Sequence, residues 1–154
     1  MTWRTYLIVF ILALLLYAAS AGVTLFNQSN TPQYVDLANA FLHGRIDLSP
    51  APVNTYDLIY YQGHWYVPEA ILPAILLLPF VALGGPGVSD ILFGVLVGAV
   101  NVVLIYDLLG YLDLKNHPAS RKWLTLLFAA GTVHWGWQAL GRSGSMPRSW
   151  QSRS

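Results

Sequence analysis

Apolar positions gather into four runs separated by polar stretches. The first is the longest. Thirty-one residues from Thr5 through Val35 carry no charge, and residues 5–26 are almost wholly apolar. As helix, at about 1.5 Å per residue, that segment reaches roughly 33 Å and crosses a hydrocarbon core of about 30 Å. The second run, residues 70–83, is uncharged, short for a span, and holds Pro73 and Pro79. Gly84-Gly85-Pro86-Gly87 breaks it, and Ser89-Asp90 then offers helix-capping chemistry. The third run covers 91–109 and closes at Gly110. A polar connector, 113–122, carries Lys115, Arg121 and Lys122 before the fourth run, 123–140. The pattern predicts an all-α membrane protein with four apolar helices, at 5–26, 70–83, 91–109 and 123–140, the second short and proline-containing. Residues 141–154 differ in kind, with five Ser, three Arg and no Val, Ile, Leu or Phe, and read as a disordered tail.

The N-terminus has a second reading. Arg4, a short apolar core and Ala19-Ser20-Ala21 resemble a signal peptide with its cleavage site. The apolar run continues past that site to Phe26, which favours an uncleaved helix.

Between the first two runs lies the most organised polar segment, residues 27–68. Thr31 is placed to cap a helix, with Pro32 at its first position and Gly44 past its end. Tyr34, Leu37, Ala38, Phe41 and Leu42 then share one helical face, with Asp36, Asn39 and His43 on the other. A short amphipathic helix next to a span is expected to lie flat at the membrane interface. Ile59-Tyr60-Tyr61 and His64-Trp65-Tyr66 flank Gln62-Gly63, the pattern of a two-residue hairpin.

Composition agrees with lipid as the surrounding medium. The 154 residues are 55% hydrophobic and 10% charged, well below the quarter usual in soluble domains. A net charge of +1 gives no basic footprint for nucleic acid, and with no cysteine there is neither a disulfide framework nor a thiolate metal site. Basic residues balance across the spans, so charge asymmetry sets no orientation. The loop 27–68 is net acidic and only Arg4 flanks the first span on its other side, which places the loop outside, on a multi-pass protein of the cell membrane.

The chemistry available in that loop is a small set. Asp36, Asp57 and Glu69 supply carboxylates, Arg45 a fixed cation, and His43 and His64 proton exchange near neutral pH. A carboxylate at the surface can act as general base on an acceptor hydroxyl, and an arginine can hold the oxygens of a phosphate. Together they suit group transfer from a lipid phosphate. Each also has a structural reading: Asp36 as the solvated face of its helix, Asp57 as a turn residue, Arg45 as a contact to ordinary headgroups. His43 and His64 with Asp36 offer ligands to a divalent metal, without a spacing that fixes one. Gly94 and Gly98 form a GxxxG with Asn101 on nearly the same face, suited to helix packing within the chain or with another membrane subunit. His134 sits among Trp135, Trp137 and Gln138 and reads as an interface anchor.

The order of these features resembles the N-terminal part of GT-C-type membrane glycosyltransferases, nearest to the bacterial protein mannosyltransferases and aminoarabinose transferases. The resemblance rests on the first span, the helix ending in Phe41-Leu42-His43-Gly44-Arg45, then Asp57, Gly63-His64-Trp65-Tyr66 and the proline-bearing run with Pro73 and Pro79. It covers roughly residues 5 to 137. It implies an inverting enzyme that uses a polyprenyl-phosphate sugar at the outer membrane face, with an acid in the first outer loop as base. That acid usually precedes the interfacial helix. The matching stretch here, Asn30-Thr31-Pro32-Gln33, has none, leaving Asp36 and Asp57 as the candidates, with Arg45, His43 and His64 as substrate contacts. Such enzymes have more spans, so the change at Gly141 is what a truncated or frame-shifted fragment would show.

Overall fold

The computed structural model describes residues 3–112 and 118–131 and is mostly helical. In chain order the elements are α1 (Trp3–Ala21), α2 (Gln33–Leu42), β1 (Ile59–Tyr61), β2 (His64–Tyr66), α3 (Leu72–Gly84), α4 (Asp90–Tyr111) and α5 (Pro118–Gly131). The chain divides into two compact units, one joining residues up to Val23 with those from Gly94 onward, the other being Thr24–Phe93.

In the first unit each helix buries only a narrow stripe. Ala13, Tyr17 and Ala21 are buried on α1, Val95, Gly98, Ala99, Val102 and Tyr106 on α4, and Arg121, Thr125 and Ala129 on α5. These positions recur at three- and four-residue spacing, one face of a helix. Much of the remaining surface of α1 and α4 is apolar and exposed, including Ile8, Leu12 and Leu15 on α1 and Leu104 and Leu108 on α4. Two segments, Trp3–Thr24 and Asp90–Tyr111, are long and apolar enough to cross a membrane. Helix α1 stops earlier than residue 26 because Gly22 turns to a positive φ of 58°, followed by one tight turn over Gly22–Thr24.

Polar links run between the buried stripes. The Tyr6 hydroxyl donates to Asp107 Oδ1 at 2.5 Å, and the Tyr17 hydroxyl to the Ala129 carbonyl at 3.1 Å. Arg121 makes a third link. Its guanidinium lies 3.8 Å over the Tyr106 ring, while Nε and Nη2 both donate to the Tyr106 carbonyl. That carbonyl sits near the C-terminal, electronegative end of α4, where a cation is favoured. The residues expected to form a connector are therefore partly helix. Pro118 supplies a preset φ at the first position of α5, and Arg121 is buried rather than marking a solvated loop. A helix begins at Pro118, five residues before the run expected at 123–140; the second half of that run, with His134, lies outside the described residues, as do Lys115 and the tail 141–154.

The second unit is built on α2 and α3. Val35, Leu37, Ala38 and Ala40 of α2 form a core with Ala74, Leu77 and Val81 of α3 and with Leu48. The apolar face of α2 is thus covered by protein, where the sequence suggested it would rest on lipid; Leu42, assigned to that face, is exposed. Thr31 does not cap the helix. Pro32 is the flanking residue, with no side-chain cap bond. The other end closes as expected, through Gly44 at φ 69°, with Gly44 N–H bonded to Phe41 O and Arg45 N–H to Ala40 O. Ser89 caps α4, its Oγ accepting the Leu92 N–H at 3.0 Å and pointing its proton at the Leu25 and Asn27 carbonyls.

Gly110 leaves the room that Arg121 occupies: a Cβ there would stand 2.8 Å from Arg121 Cζ. Gly110→Ala is expected to destabilise the helices by about 1–3 kcal/mol, the usual scale for overpacking. Thermal unfolding in detergent, followed by helical circular dichroism, checks this; an unchanged midpoint refutes the tight packing of Arg121 on Gly110.

Candidate functional site

Asp36 lies in the first turn of α2, one face round from the buried Val35 and Ala38. Arg45 follows the glycine turn that ends the same helix. From there the chain runs through Leu48, buried against the core, into Ser49-Pro50, a cis peptide. These segments enclose a cleft of about 410 Å³, in the range of small-molecule sites. Asp36, Asn39 and Gln33 line it from α2, Arg45 and Ser49 from the following segment.

The two charged groups of the cleft are both open to a ligand. Among the described residues nothing donates a hydrogen bond to the half-buried Asp36 carboxylate, and it joins no ion pair. Burial pushes its pKa up, and the negative charge of Asp90 adds to the rise. Asp90 itself is held by Ser29, through the backbone N–H at 2.8 Å and the hydroxyl at 2.5 Å. Arg45 Nη1 donates to the Ser49 carbonyl at 2.5 Å, which orients the guanidinium within its own loop. No described carboxylate pairs with it, so its other N–H groups remain available.

The structure separates the remaining expected site residues from this cleft. Asp57 is exposed, does not line it, and sits at φ 64° in a turn, a conformation that Asp tolerates better than most residues. His43 is exposed at the end of α2, its Nδ1 2.8 Å from the Asn39 carbonyl. His64, on β2, is also exposed and outside the lining, with Nδ1 2.9 Å from Asp47 Oδ2. Among the described residues no three His, Cys, Asp or Glu side chains gather as a metal site.

Asp47 is the residue that the sequence reading missed. Its carboxylate accepts from Ser49 Oγ at 2.8 Å as well as from His64. The Ser49 hydroxyl first, and then His64, hold it below the usual carboxylate range. The signal was faint: Asp47-Leu48-Ser49-Pro50 has turn composition, and only the fold brings it to the hairpin. There Leu48 N–H bonds to the Trp65 carbonyl at 2.8 Å, beside the pairing of Tyr61 with His64. The hairpin turn at Gln62-Gly63 has φ of 47° and 89°. Glu69, the third loop acid, accepts from the Tyr34 hydroxyl at 3.1 Å in an exposed pair.

No protein-family model, curated protein sequence or solved structure matches the chain.

A carboxylate with a raised folded-state pKa binds its proton more tightly folded than unfolded. It therefore lowers stability as pH rises from its ordinary value, about 4, through the raised one. Asp36→Asn is accordingly expected to be more thermostable than the parent at neutral pH, with the gap closing as the pH falls to about 4. Melting temperatures measured across that range decide it; a variant less stable at neutral pH contradicts the assigned burial.

Proposed function

We propose that the protein is a multi-pass membrane protein of the GT-C glycosyltransferase type, or the N-terminal part of one, transferring a sugar from a polyprenyl-phosphate donor. The observation that carries this reading is the cleft holding one carboxylate without a donor and one guanidinium without an acid. Those are the two groups that the transfer requires. The Asp36 carboxylate takes the proton of an acceptor hydroxyl, and the acceptor oxygen attacks the anomeric carbon from the face opposite the phosphate. The bond from that carbon to the phosphate oxygen breaks, and the electron pair leaves with the polyprenyl phosphate. Arg45 meets the charge on the leaving phosphate oxygens. A base is most effective when its pKa approaches the working pH, and the rise at Asp36 is in that direction.

The membrane part of the reading is supported by the helices of the first unit. A helix that is apolar all round yet buries only a narrow stripe is in its proper solvent when that solvent is lipid. Asp57, His43 and His64 stand outside the transfer itself.

One observation favours assembly with another membrane subunit as a second reading. A Cβ at Gly94 would meet nothing within 4 Å, and Asn101, seven residues on and on the same face, is exposed. Gly98 between them is buried within the chain.

Membranes carrying the full chain, incubated with a labelled polyprenyl-phosphate sugar, are expected to transfer label to an endogenous acceptor. Asp36→Asn should lower turnover by about a hundredfold or more, the scale of general-base loss. Arg45→Ala should chiefly weaken donor use, and Asp57→Asn should leave turnover near the parent's. Full activity in Asp36→Asn rejects the assignment. For the second reading, Gly94→Leu is expected to abolish crosslinked oligomers; unchanged crosslinking removes it.

A further inference from the structure

The stretch of chain that joins the two long apolar segments begins and ends at one place. Ser89 Oγ, just before α4, bonds to the Leu25 and Asn27 carbonyls at 2.8 and 2.6 Å. Ser29 donates to the Asp90 carboxylate through its backbone N–H and its hydroxyl, and Gln28 Nε2 donates to the Pro86 carbonyl at 2.6 Å. All of these residues belong to the second unit. Leu25 directly follows the first apolar segment, Trp3–Thr24, and Asp90 opens the next, Asp90–Tyr111. The exit from one is therefore tied to the entry into the other. Within the first unit the Tyr6 hydroxyl meets Asp107, so the start of α1 lies beside the end of α4. Helices joined in this way cross a membrane in opposite directions.

We infer that α3 does not cross the membrane but lies within the one leaflet at which α1 ends and α4 begins, its uncovered face against acyl chains. The inference rests on the membrane part of the proposed function and is independent of the transfer chemistry. Chain that leaves a membrane and re-enters it at the same face makes an even number of crossings in between. Residues 25–89, all described, hold a single wholly apolar helix, α3. One crossing by α3 would set Ser89 and Leu25 on opposite faces, about 30 Å apart, instead of in hydrogen-bond contact. Length agrees, because the 13 residues of α3 reach about 20 Å as helix, short of that thickness. Ala74, Leu77 and Val81 of α3 are taken up by the core with α2, while Leu72, Ile75, Leu76, Phe80 and Leu83 stay exposed on a helix without a charge. An uninterrupted apolar face of this kind marks a contact with something other than water. Continuity with a span identifies lipid as that partner: the Phe80 ring lies 6.0 Å from the ring of Phe93, in the first turn of α4 and in the same unit.

The test places single cysteines in the full chain, which has none of its own. Val53 precedes α3, Gly87 follows it and Ser120 follows α4, and all three are exposed. An impermeant maleimide is applied to intact and to lysed cells. Val53→Cys and Gly87→Cys should react from the same side of the membrane, and Ser120→Cys from the other. If Val53→Cys and Gly87→Cys react from opposite sides, α3 crosses; the inference is overturned while the membrane reading stands. If all three react from one side, α4 does not cross, and the membrane reading fails together with the inference. The occupant of the face is read separately, from a nitroxide on Leu76→Cys in lipid nanodiscs. Oxygen should relax it more than a water-soluble nickel chelate does, at a depth of about 5–10 Å, shallower than a nitroxide on Leu12→Cys near the middle of α1. Faster relaxation by the chelate puts the face in water, and relaxation by neither reagent puts it under protein, such as a second copy of the chain. Either result overturns lipid as its partner.

Discussion

Everything chemical in this protein depends on the packing of α2 against α3. The contact is made by small residues, Ala38 and Ala40 on one helix and Ala74 on the other, with Val35, Leu77 and Val81 filling the remaining space. Small side chains let the backbones approach, and the apolar surface they remove from water is what holds a ten-residue helix that would be marginal alone. With that face fixed, the opposite side of α2 becomes one wall of the cleft. The half-burial of Asp36 follows directly, because the loop from Arg45 onward folds back over the helix and anchors itself through Leu48. Desolvation then raises the carboxyl's pKa without any special catalytic device.

The first unit obeys a different constraint. Its helices bury little of themselves, so their association rests on a few directed links between the buried stripes. In lipid, apolar surface gives no net drive for helices to associate, and close packing with hydrogen bonds takes over that role. Tyr6, Tyr17 and Arg121 supply such links, each reaching a specific partner on another helix. Arg121 shows why charge alone is a poor marker of a loop. Over an aromatic ring, and bonded to a carbonyl at the favoured helix end, a guanidinium is accommodated inside a helical bundle.

Regular periodicity was legible in the chain. The cores of α1, α3 and α4, the glycine stop after α2, the serine cap of α4 and the Gln62-Gly63 turn all follow from local residue choice. What was not legible required knowing which surfaces meet. Tyr34, Leu37 and Phe41 marked an apolar face, but only the position of α3 decides that the face is covered and that Leu42 escapes it. Within the expected connector, residues 118–122 are helical, because the partner of Arg121, the Tyr106 ring and carbonyl, outweighs the loop signal of its charge. Residue type marks Asp36 and Arg45, and the fold brings them to one cleft; Asp57, His43 and His64 carry the same kinds of group and fall outside it. Asp47 gives no such signal, because its histidine partner lies on a hairpin strand seventeen residues further along the chain.

The glycine that ends α2 has a wider consequence. Asp36 and Arg45 belong to one helix and its closing turn, so their separation is written into a single short stretch of chain. The backbone spacing of acid and cation is thus local, nine residues of helix and turn, while the aim of the guanidinium is borrowed from further along the chain, from the Ser49 carbonyl and the hairpin that holds Leu48. A change in the hairpin would therefore redirect the cation and leave the acid where it stands.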